Sequence, residues 1–345
     1  MSFDPIDSPE QERAWLERLP KVELHLHLEG AIPLAALWQL IQKYGGDPST
    51  PDRQALALKF TYTDFPHFID TWVWKNQFLR EYEDFTSVAE AVAQDLAAQN
   101  IRYIEVSFSP ADFRRFGLEP QALTEAIREG LDRVPGIQVA LVADLVRDFG
   151  PETASLVLEK MNEVRDLGVI GVGIGGSEQL VPPEVFEGVY ERARELGFRT
   201  TAHAGEVCGP ESVWGVIRSL RTDRIGHATT AREDETLVDY LAQHAIPLEL
   251  CPVSNLRTGA IGSIEEHPAR IYFERGIPIC INTDDPALFG TSLADEYSLL
   301  RRHLGFTRDD IRKVILQAID VSWLPDERKF RLMEEFLADP GWTEL

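Results

Sequence analysis

Four histidines and three carboxylates occupy positions from which they could act together. His25 and His27 alternate in "KVELHLHLEG". On a strand, residues two apart face the same way, so this pair makes a two-pronged metal ligand. His203 and Glu206 end "FRTTAHAGE", His227 ends "DRIGH", and Asp284 and Asp285 are adjacent in "INTDDP". Three neutral imidazoles and one carboxylate suit a single zinc ion and leave a position open for water. Bound zinc lowers the pKa of water from about 15.7 to about 7, which makes a nucleophile at neutral pH. A second metal would need a bridging ligand, such as a modified lysine after the fourth apolar run. That run ends in "GIGGSE", and no lysine occurs between Lys160 and Lys313, so one metal per chain is expected. The other histidines, His67, His244, His267 and His303, fall in helical or loop contexts and read as packed or solvated.

These groups meet only if the chain brings several strand ends together. Eight β-branched or apolar runs recur, among them "IRYIEVSFSP", "IQVALVADLV", "IPLELCPVSN" and "IPICINTDDP", each followed by a polar residue and, in most cases, a helix-period segment. This alternation predicts an α/β fold, a (β/α)8 barrel of the TIM type with its chemistry at the C-terminal strand ends. A doubly wound open sheet is the alternative, although "GVGIGG" alone is a weak dinucleotide signal. The first two runs are about 70 residues apart, which predicts a helical insertion over about 31–98 within a single domain of 1–345. Its stretch "FPHFIDTWVWKNQFL" carries Phe65, Phe68, Trp72 and Trp74, either as a lid over the site or as packing on the barrel rim.

Composition narrows the partners. The chain has 345 residues, 57 acidic and 34 basic, for a formal charge of -23. Such a surface repels phosphate backbones and anionic headgroups, so neither nucleic acid nor membrane is an expected partner. No run approaches the ~18 apolar residues of a membrane span. Cys208, Cys251 and Cys280 form no CxxC pair and read as reduced core thiols. With a polar, acidic N-terminal stretch, these features predict a cytoplasmic protein. Nothing in the sequence sets an oligomeric state. HExxH, P-loop, GxSxG and the paired-cysteine deaminase signature are all absent.

The segments "LPKVELHLHLEG", "GIGGSE", "HAGEVCGPESVW", "RIGHAT", "CPVSNLRTG" and "INTDDPALFG" together resemble the adenosine and adenine deaminase family of metal-dependent barrels, in order and over nearly the whole chain. The resemblance implies that His25, His27, His203 and Asp284 hold zinc. It implies that Glu206 shares a proton with purine N1 and that His227 holds and deprotonates the attacking water. Asp285 would bond N7, and the backbone N–H of Gly176 would meet N3. The implied reaction is hydrolytic removal of the 6-amino group of an adenine base or nucleoside, with adenosine as the default substrate. Adenine, aminodeoxyfutalosine and N6-substituted adenines are alternatives. Glu29 stands where many adenosine deaminases have a ribose-contacting Asp; Ala228 replaces a usual Gly, and Gly173 and Ser177 replace commonly acidic residues. Arg257, just past the seventh run, is a candidate for an anionic substituent, with Phe68 and Trp72 as candidates against the base. Two other classes stay open: a metal-dependent amide, ester or phosphoester hydrolase, and a non-catalytic binding barrel.

Overall fold

Each of the eight apolar runs forms a parallel stave. In the computed structural model, which describes residues 8–62 and 64–343, β1 (Lys21–His27), β2 (Ile101–Phe108), β3 (Gln138–Asp144), β4 (Val169–Gly173) and β5 (Arg199–Thr200) pair in sequence order. β6 (His203–Ala204), β7 (Ile225–His227), β8 (Leu248–Leu250) and β9 (Ile279–Ile281) continue the order. β5 and β6 are two halves of the fifth run. Between them, Thr201 N–H still donates to Val172 O (3.1 Å) and Ala202 O still accepts from Gly226 N–H (2.9 Å), so the wall is continuous.

The ring closes between the first and last staves. Leu26 bridges Asp284 in parallel register; His27 N–H donates to Asp284 O (2.9 Å) and Asp284 N–H to His25 O (3.2 Å). Asn282 Oδ1 accepts from Leu24 N–H (2.8 Å) and His25 N–H (3.1 Å). The fold is therefore a (β/α)8 barrel and not an open sheet. All seven residues of β1 are buried, as expected of a parallel strand covered on both faces.

Helix α1 (Pro9–Arg18) precedes β1, and a capping box between Ser8 and Gln11 sets its start. After β1 come α2 (Leu34–Lys43), α3 (Arg53–Leu58), α4 (Phe65–Asn76) and α5 (Tyr82–Ala98). α5 buries Phe85, Val88, Ala89, Val92, Ala93 and Leu96, a continuous stripe at helical spacing. It packs against the helix Pro120–Asp132, where Thr86 Oγ1 donates to Ala126 O (3.0 Å). α5 is the last helix before β2. Among the described residues, no helix is long and apolar enough to cross a membrane.

Candidate metal centre and active site

The closing seam places the first two histidines against the last carboxylate. His25 Nε2 lies 3.1 Å from His203 Nε2 and 3.2 Å from Asp284 Oδ1, and His27 Nε2 lies 3.2 Å and 3.3 Å from the same two atoms. A tetrahedral ion with bonds of about 2.0–2.1 Å holds its ligand atoms roughly 3.3 Å apart, so these four side chains fit one zinc ion. Asp284 Oδ2 is occupied by Ser254 Oγ–H (2.7 Å), while its buried Oδ1 accepts no hydrogen bond. Asp284 and His227 both have left-handed backbone, φ +63° and +62°, which costs non-glycine residues about 1–2 kcal/mol each.

Partners behind the ligands fix which nitrogen faces the metal. His25 Nδ1 donates to Glu249 Oε2 (2.8 Å) and His203 Nδ1 donates to Ile174 O (3.1 Å), leaving a lone pair on each Nε2. Burial opposes ionisation of Glu249, but Arg224 and His25 hold its carboxyl down to about 2. Arg224 is itself buried; it donates through Nε to Glu249 (2.6 Å) and through Nη2 to Glu105, and its guanidinium lies 3.7 Å from the centre of the Trp323 ring. Replacing Glu249 by Gln is expected to weaken zinc affinity about 10- to 100-fold in chelator competition. Unchanged affinity would show that Glu249 does not support His25.

Glu206, His227 and Asp285 flank the ligand set. Four backbone N–H groups, those of Gly205, Glu206, Val207 and Cys208, converge on the buried Glu178 carboxylate at 2.6–3.2 Å and so anchor the loop that carries Glu206. Burial, with Asp284 and Glu178 nearby, pushes the Glu206 carboxyl well above the usual range. Its Oε2 is 3.6 Å from His227 Nε2. Asp285 begins the short helix Pro286–Phe289, yet its side chain makes no capping bond. Its Oδ1 is buried without a partner, and burial beside Asp284 also raises its carboxyl well above normal. Gly30 makes room for it, since a Cβ there would lie 1.6 Å from Asp285 Oδ1.

His27, His203, Glu206, Asp284 and Asp285 face one cavity. Asp64 caps α4 by accepting from His67 N–H (2.9 Å), and the helix roofs the cavity with Phe65, Phe68, Ile69, Trp72 and Val73. Trp74 turns away: its Nε1 donates to Asp47 (3.2 Å) and its ring packs on Phe78. Gly176 lines the side, at φ +101°, where a Cβ would lie 2.1 Å from Asp148 Oδ2. Glu29 does not line the cavity. It sits behind the wall, where Oε1 accepts from Ser109 N–H (2.9 Å) and Lys75 Nζ binds its carbonyl (2.7 Å). Arg257 is exposed and borders a separate hollow with Phe289 and His303. Glu178, Glu249 and Arg224 were not singled out from sequence. A charged residue inside an apolar run, as in "LEL", was the available signal for Glu249.

A parallel barrel with a three-histidine, one-carboxylate centre under an aromatic roof, flanked by two buried carboxyl groups, defines a metal-dependent hydrolase. The adenosine deaminase family model matches residues 20–338. The chain belongs to that family and is a metal-dependent hydrolytic deaminase with zinc as its cofactor. It is 34% identical to the aminodeoxyfutalosine deaminase of Streptomyces coelicolor over 337 residues, 96% of this chain and 87% of that protein. It is also 34% identical to the adenine deaminase of Bordetella parapertussis over 310 residues, 89% of this chain and 97% of that protein. An amidohydrolase of Burkholderia ambifaria, solved with bound zinc, superposes with a TM-score of 0.88 at 29% identity, covering 98% of this chain and 97% of the other.

Proposed function

We propose that the protein removes the 6-amino group of an adenine nucleoside or base by hydrolysis, with adenosine as the reference substrate. The observation that carries this reading is the pair of buried carboxyl groups, Glu206 and Asp285, which line the same cavity as His27, His203 and Asp284 and are both pushed well above the usual carboxyl range by burial. Two carboxyl groups held protonated can donate to two ring acceptors, Glu206 to purine N1 and Asp285 to N7, a pair that no simple amide or ester offers.

Zinc, when bound, supplies a water ionised at neutral pH. Glu206 gives its proton to N1 as the C6–O bond forms, so negative charge does not build on the ring. As a carboxylate it then takes the proton of the new hydroxyl and passes it to the amino nitrogen. The C6–N bond breaks, ammonia leaves, and a 6-oxopurine remains; the next water returns a proton to Glu206. Asp285 orients the ring through N7, and the Gly176 N–H meets N3. Phe68 and Trp72 stack over the base and exclude solvent.

An anionic tail on the substrate is favoured by one feature. Among the described residues, the catalytic cavity is lined by Asp112, Asp144 and Asp148 but by no lysine or arginine. A second hollow shares Val73, Asp112 and Phe149 with it and carries Arg114 and Arg115, both exposed. Arginine pairs well with phosphate or carboxylate. Loss of adenine absorbance across adenine, adenosine, AMP and aminodeoxyfutalosine tests the reaction; no change with any of them would reject it. Changing Arg114 and Arg115 together to Ala is expected to raise KM about 10-fold for the two anionic compounds and to leave adenosine within about 2-fold. Equal effects on all would remove the arginines from substrate recognition.

A further inference from the structure

His267 and Asn255 are buried beside the site, and the steps above give neither a part. We infer that His267, acting through Asn255, is a positioning residue that keeps the proton of neutral His227 on Nε2, beside Glu206 and the metal-ligand set.

The argument begins at a group whose role cannot be reversed. The backbone N–H of Ala269 donates to His267 Nδ1 at 3.2 Å, so that nitrogen carries the lone pair and the neutral ring has its proton on Nε2. Burial keeps the ring neutral, pushing its pKa down to about 3. His267 Nε2 lies 3.2 Å from Asn255 Oδ1, and Thr229 Oγ1 donates to the same oxygen at 3.0 Å. Two donors fix the orientation of the amide. Its Nδ2 therefore faces His227 Nδ1, at 3.1 Å, and donates to it. His227 accepts at Nδ1, so its single proton belongs on Nε2, which is buried without a partner.

The same rule separates His227 from the ligands. Ligand atoms of His25, His203, His227 and Asp284 all lie within 4.8 Å of one another, which by distance alone makes His227 a candidate ligand. His25 and His203, however, donate through Nδ1 and present lone pairs at Nε2, whereas His227 presents a proton. A protonated nitrogen cannot coordinate a metal. On the deaminase reading, on which this consequence rests, His227 gives a hydrogen bond to the oxygen that attacks C6 and stabilises charge on it. On this inference His227 does not remove the proton of the water, and Glu206 handles the protons alone.

The test is long-range 15N–1H NMR of the zinc-loaded, 15N-histidine-labelled enzyme, with His227 and His267 assigned by single substitutions. The expected spectrum has a protonated Nε2 and an unprotonated Nδ1 on both rings, and it is read without substrate. His267→Leu is expected to give mixed tautomers at His227 and about a 10-fold loss in kcat with KM within about 2-fold. His267→Gln, which keeps an N–H for Asn255 Oδ1, should restore kcat to within about 3-fold. Asn255→Asp should draw the His227 proton to Nδ1 and lower kcat about 10²- to 10³-fold, the usual size for a lost transition-state donor. An unprotonated His227 Nε2 in the unchanged enzyme, or a tautomer indifferent to both His267→Leu and Asn255→Asp, would overturn the inference. Because the spectrum needs no turnover, failure of the deaminase reading would be seen separately, in the substrate panel.

Discussion

Replacing Glu206 by glutamine is expected to lower kcat about 10²- to 10⁴-fold, the range for a general acid–base group, while zinc content stays at one per chain. Glutamine keeps the shape of the side chain and can still donate to N1, but it cannot release a proton to N1 or carry one from oxygen to nitrogen. The loop should survive the change. Its conformation depends on the Glu178 carboxylate, which receives four backbone N–H groups, and not on the Glu206 side chain. Metal analysis and a kcat/KM split decide the matter: the loss should fall on kcat, with KM changed much less. Turnover near the unchanged rate would remove Glu206 from the chemistry, and loss of zinc would make it a metal-site residue.

Replacing His203 by alanine should abolish the centre itself. Its Nε2 is the common neighbour of His25 Nε2 and His27 Nε2, at 3.1 and 3.2 Å, so its removal opens the set from the middle. Zinc should fall to a small fraction of one per chain after brief dialysis against chelator, and kcat/KM should fall more than about 10⁴-fold, as expected when water is no longer ionised at neutral pH. A second reading comes from heat. A ligand that binds only the folded chain stabilises it by about 4 kcal/mol at 1,000 times its Kd. The unchanged protein should therefore lose thermal stability in chelator, whereas the alanine variant should melt at one temperature with or without zinc. Retained stoichiometric zinc in the variant would remove His203 from the ligand set.

Much of this site was legible because strand chemistry is periodic. His25 and His27 two apart on an apolar run, and polar residues repeatedly closing such runs, are local patterns that survive without coordinates. The break of the fifth stave at Thr201 and Ala202 was not legible, since both residues also suit an unbroken strand. The outward turn of Trp74 is by contrast written in the spacing: it lies two residues from Trp72, and on a helix that separation points the two indoles to different sides. The supporting residues were hidden for another reason. Glu178 serves a loop some 27 to 30 residues away, and Arg224 joins carboxylates 25 and 119 residues distant, so no local spacing connects them. His267 reads as a packed or solvated side chain because its position in a loop carries no periodic signal. Its connection to His227 passes through an asparagine whose orientation only three-dimensional contacts determine.

The seam between Leu26 and Asp284 gives the barrel and the metal centre a common timetable. During synthesis the prongs at His25 and His27 leave the ribosome early, whereas Asp284 follows the last stave, β9. A nascent chain halted before Asp284 can neither complete the ring nor offer the fourth ligand. The last bond of the ring and the carboxylate proposed for zinc thus come from one residue near the end of the barrel.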